Sequence, residues 1–84
     1  MNIETIWNNI KRCEGEIFYT VEKRIAFSYV VNGNYIIINN DPRRKISKEY
    51  FEKALNITNP TPSRINLRGQ SYICSIITDR RILL

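Results

Sequence analysis

The stretch from Arg24 to Asn40, RIAFSYVV-NG-NYIIINN, constrains the fold more than any other part of this chain. Asn32-Gly33 is the dipeptide that a two-residue type I′ turn requires, because both central positions take positive φ. Such a turn opposes Val31 to Asn34, Tyr29 to Ile36, Phe27 to Ile38 and Ile25 to Asn40. Side chains alternate along a strand, so Ile25, Phe27, Tyr29, Val31, Ile36 and Ile38 share one face. That face is almost wholly apolar and is the expected core side. The other, with Ala26, Ser28, Val30, Tyr35, Ile37 and Asn39, is mixed. A one-residue slip would exchange the two faces, so turn chemistry and hydrophobic pattern specify the same side chains for the core.

The rest of the chain reads as elements that cover such a hairpin. Ile3, Ile6, Trp7, Ile10 and Cys13 form one helical stripe, with Asn2 as cap and Gly15 as terminator. Glu16 to Val21 alternates as a short strand, Phe18 and Thr20 against Ile17, Tyr19 and Val21. A second helix starts after Ser47, with Phe51, Ala54 and Leu55 inward and Ile46 placed to pack on Phe51. Following the proline-rich loop Thr58–Ser63, Arg64 to Leu67 and Arg68 alternate as a short strand would. A last helix runs through Thr78 with Ile73, Ile76 and Ile77 at core spacing, ahead of the apolar end Ile82-Leu83-Leu84. The expected class is α+β, a single domain over residues 1–84. It has a small three-stranded antiparallel sheet, with room for a short fourth strand, and helices packed on one face. The order is α-β-β-β-α-(β)-α.

Composition narrows the function. Histidine is absent, which excludes His-based triads and leaves too few ligands for an ordinary zinc site. Cys13 and Cys74 form no CxxC and read as small buried thiols. The three glycines make no phosphate-binding loop, and the carboxylates fall into no nuclease-like pattern. No catalytic residue, metal or cofactor is expected. The start lacks a basic region followed by an apolar run, and no segment approaches the ~20 apolar residues of a membrane span. The cytoplasm is the expected location.

The net charge of +5 makes a polyanion the first partner to consider. Arg43, Arg44, Lys45 and Lys48 are the densest basic run, and Arg64 and Arg68 follow on one strand face. Tyr35 could stack on bases beside them. A standard helix-turn-helix is excluded, because the second and third helices are too far apart for its tight turn. The expected function is a small nucleic-acid-binding or nucleic-acid-associated regulatory module, acting on DNA or RNA mainly through phosphate contacts. The alternative is a protein-interaction or homodimerisation module using Val30, Tyr35 and Ile37, or the C-terminal Ile82, Leu83 and Leu84. A charge run is also what an ordinary solvated surface looks like, so one question decides its meaning: does folding gather these cations into one patch?

Overall fold

In the computed structural model, residues 2–83 are described. The first helix, α1 (Ile3–Arg12), forms as its stripe predicts. The Asn2 side chain accepts the Glu4 N–H at 2.7 Å, and Ile6, Trp7 and Ile10 are buried. Next come β1 (Phe18–Tyr19), β2 (Ala26–Phe27), β3 (Tyr29–Asn32), β4 (Tyr35–Ile38) and β5 (Lys45–Ser47). Four helices complete the chain: α2 (Lys48–Leu55), α3 (Pro62–Ile65), α4 (Gln70–Ile77) and α5 (Arg80–Leu83). The class is α+β, in the order the sequence implies.

The hairpin is present, with its turn moved one residue along. Asn32 faces Tyr35, so Gly33 and Asn34 are the central pair. Of these two only Gly33 has positive φ, +62°, the pattern of a turn with glycine first, as in type II′. Tyr29 therefore opposes Ile38 rather than Ile36, and Val31 opposes Ile36. The partner of each residue changes by two positions, an even number, so the faces survive. Tyr29, Ile36 and Ile38 are buried as expected, and Val30, Tyr35 and Ile37 lie on the other side.

The long first strand does not stay in one sheet. It breaks at Ser28, whose N–H donates to Asn39 Oδ1 while the Asn39 N–H donates to Ser28 O. Asn39 and Asn40 then turn left-handed, at φ +52° and +56°, so β4 ends and offers nothing to residues before Ser28. Phe27 consequently pairs with Phe18 of β1 and not with Ile38. Ile25, assigned to the core by alternation, is 57% exposed.

Two further departures have local causes. Arg64 to Arg68 is not a strand: Thr61 caps a helical turn that begins at Pro62, and Asn66 ends it in the left-handed region. A Thr-Pro start outweighs a five-residue alternation, because proline suits the first helical position and threonine accepts an orphan N–H. The third strand of the main sheet is not Glu16–Val21, of which only Phe18–Tyr19 is strand, but Lys45–Ser47, inside the basic run, with Ile46 opposite Ile36 and buried. Sheet order is β3-β4-β5, with β1-β2 as a separate ribbon.

The helices close over the inner faces. Trp7 packs on Phe51, Phe18 lies between Phe27 and Tyr29, and the buried Tyr29 hydroxyl donates to Ile10 O at 2.6 Å. The C-terminal end is stitched to α1: Asn9 Nδ2 donates to Ile82 O at 2.7 Å, and Arg12 donates to Arg81 O. Ile82 is fully buried and Leu83 is 43% exposed; Leu84 lies outside the described residues.

Two substitutions test this packing by urea denaturation. Tyr29→Phe should cost about 1–2 kcal/mol, because it strands the buried Ile10 carbonyl without removing the ring. Ile82→Ala should cost about 2–4 kcal/mol, the range for truncating a buried aliphatic side chain. A silent Ile82→Ala would mean that the C-terminal helix is not docked in solution.

Candidate basic nucleic-acid interface

The end of β4 creates the candidate site. Having turned left-handed, the chain is held by Asp41, whose N–H donates to Ile38 O and whose carbonyl accepts the Arg44 N–H at 2.8 Å. Its side chain closes an Asx turn, Oδ1 accepting the Arg43 N–H at 3.0 Å. The Ile38 N–H returns to Arg44 O, and β5 begins. This loop presents Arg43 and Arg44 outward from the sheet edge.

The same carboxylate receives both guanidinium groups. Arg43 donates through Nε and Nη2 at 3.1 and 3.2 Å, and Arg44 Nε lies 3.6 Å from Oδ2. The Arg43 side chain, foremost, holds the Asp41 carboxyl below its ordinary value of 3.8. Arg44 also donates from Nη1 to the Tyr72 hydroxyl at 2.9 Å, which ties the loop to α4.

Arg68 arrives from a different segment. Asn66 ends α3, and Gly69 (φ +82°) turns the chain flat against β5. The left-handed backbone at Gly69 suits glycine, and a Cβ there would also fall 2.8 Å from Ile46 Cδ1, so a larger residue would push that side chain aside. Arg43, Arg44, Lys45 and Arg68 thereby line one open cavity of about 170 Å³, walled by Ile38, Ile46 and Tyr72. Asp41 is paired with two of them, Arg43 and Arg44.

Other expected members are elsewhere. Lys48 Nζ is bound to Glu4 at 2.9 Å, and Arg64, on α3, donates to Thr58 O in the loop before that helix. Arg64 and Arg68 share no strand face, because there is no strand. Tyr35 lies on the outer sheet face, where Lys45 Nζ sits 5.0 Å from its ring centroid. Lys45 thus joins the basic cavity to the half-buried Val30, Tyr35 and Ile37 surface. Ile82 is consumed by the core and is not free for a partner. Sequence reasoning missed Asp41 as the organiser. Its signal was present: an Asp followed by Pro and two arginines is a turn whose side chain can accept backbone N–H groups.

Among the described residues, no group of His, Cys, Asp or Glu is arranged to hold a metal, and no helix is long and apolar enough to cross a membrane. Compared with protein-family models, curated proteins and solved structures, the chain matches none of them.

The Asp41 pairing has a direct check by carboxyl NMR titration. The Asp41 midpoint should lie below 3.8, and Arg43→Ala should move it back upward, since the largest stabilising bond is lost. With a depressed folded value, any stability from this pairing is present above pH ~4 and is lost on acidification through the folded midpoint. An unshifted midpoint in the native protein would remove Asp41 as the organiser of the loop.

Proposed function

We propose that this chain is a small nucleic-acid-binding module that holds the phosphate backbone through Arg43, Arg44, Lys45 and Arg68. One observation carries the reading: cations from two segments separated by α2, α3 and their loops line a single concave surface. Guanidinium forks match phosphate oxygens in geometry and charge, and three of the four groups are arginines. The Arg43 side chain is 88% exposed and Arg44 is 52% exposed, so neither must be uncovered to meet a ligand. Asp41 pre-aligns both guanidinium groups and competes with phosphate for them. Lys48 and Arg64 have no part in this version of the site. Two free buried thiols agree with a reducing, cytoplasmic setting.

A protein-interaction role is the competing reading, supported by the large apolar side chains Ile17, Tyr19, Val21 and Ile25 exposed on or beside the β1–β2 ribbon. The two readings differ in what salt does.

Fluorescence anisotropy with generic oligonucleotides at about 50 mM salt and above decides between them. Affinity should fall steeply with salt, and Arg43→Ala, Arg44→Ala and Lys45→Ala together should flatten the log–log slope by roughly 2–3 units on duplex DNA, about 0.9 per lost contact. Lys48→Ala with Arg64→Ala should leave the slope nearly unchanged, although net charge also falls. Asp41→Asn keeps the turn acceptor, removes the competing charge and should tighten binding. Absence of any association at low salt would end the proposal, and equal effects of the two mutant sets would reduce it to nonspecific net charge.

A further inference from the structure

The basic cavity does not stand alone. A second open cavity, of about 370 Å³, adjoins it and shares Gly69 and Tyr72 as walls. Its size falls within the ~300–1,000 Å³ of small-molecule sites. Its chemistry is different. Ile25, Gln70 and Ser71 supply an aliphatic surface and neutral hydrogen-bonding groups, while Glu22 and Lys23 offset one another. A near-neutral, partly apolar cavity and a cationic one thus meet at Gly69 and Tyr72, and the two together are termed the trough.

That asymmetry matches one ligand unit: a neutral heterocycle joined to an anionic phosphate. Resting on the phosphate-binding reading above, we infer that the trough takes an unpaired nucleotide of single-stranded nucleic acid, the base in the larger cavity and its phosphate among the arginines. Ile25 is the clearest support. It is an isoleucine 57% exposed in a folded chain, and it lies where an apolar wall for a base is needed. The Tyr72 position is set from both sides, its ring edge against Phe27 at 4.9 Å and its hydroxyl accepting from Arg44. A paired base is stacked inside its duplex and cannot enter such a trough, whereas single strands splay bases onto aromatic and apolar surfaces.

The test compares three probes of equal phosphate number by anisotropy at low salt: an intact single strand, the same strand without bases, and a duplex. The intact strand should bind the wild-type protein at least about fivefold tighter than the abasic strand, the smaller end of what stacking one base contributes. It should also bind more tightly than the duplex. Ile25→Ser and Gln70→Ala, both at accessible positions and checked for folding by circular dichroism, should each shrink the intact-to-abasic ratio. Equal affinity for intact and abasic strands would overturn the inference while leaving the phosphate reading standing. No binding of any probe would overturn both. Competition by a free nucleoside monophosphate as effective as the strand itself would assign the trough to a small molecule and overturn the single-strand assignment.

Discussion

Tyr29 is the residue on which the parts of this small domain depend. Its ring packs 5.5 Å from Phe18 of the ribbon, its hydroxyl donates to the last turn of α1, and its carbonyl accepts the Gly15 N–H as the chain leaves that helix. It opens the main sheet opposite Ile38. A tyrosine can do this because its body is apolar and its tip is polar. Buried at 1% exposure, it satisfies both demands at once. Burial also raises the energy of the phenolate, so the hydroxyl stays a donor far above neutral pH.

The ends of the chain are joined by a comparable arrangement. Arg81 donates to Asp79 through Nε and Nη2, to Glu16 and to Ile17 O, with its guanidinium 4.0 Å from the Phe18 ring centroid. A short final helix could not dock by its own propensity, since a few residues do not repay helix nucleation. Burial of Ile82 and the bonds from Asn9 and Arg12 supply what propensity lacks. Docking α5 on α1 adds Ile82 to the same buried cluster as Ile6, Trp7 and Ile10.

The candidate site is a by-product of how the sheet ends. The Ser28–Asn39 clamp stops β4, two left-handed asparagines reverse the chain, and Asp41 fixes the loop that carries Arg43 and Arg44. Gly69 then lets a distant segment lie against Ile46 and deliver Arg68. None of these steps concentrates charge inside the core. The cations remain at the surface, where they cost little stability and can be reached by a phosphate.

The local code of the sequence was enough for the α+β class, the amphipathic first helix, the hairpin and, Ile25 apart, the side chains of its inner face. These follow from period and turn chemistry, and even the displaced turn left the faces unchanged, because side chains alternate with a period of two. Arg43, Arg44, Lys45 and Arg68 were legible as candidates by charge alone. Their convergence was not, because it depends on where β4 ends, on Asp41 capturing two guanidinium groups, and on a left-handed glycine that lays its segment against Ile46. Lys48 and Arg64 looked equivalent in the sequence and were diverted by Glu4 and by the Thr58 carbonyl in the loop before α3. Periodicity reports which face a residue occupies; which charges meet is decided by contacts between segments remote in the chain, and only the tertiary structure contains those.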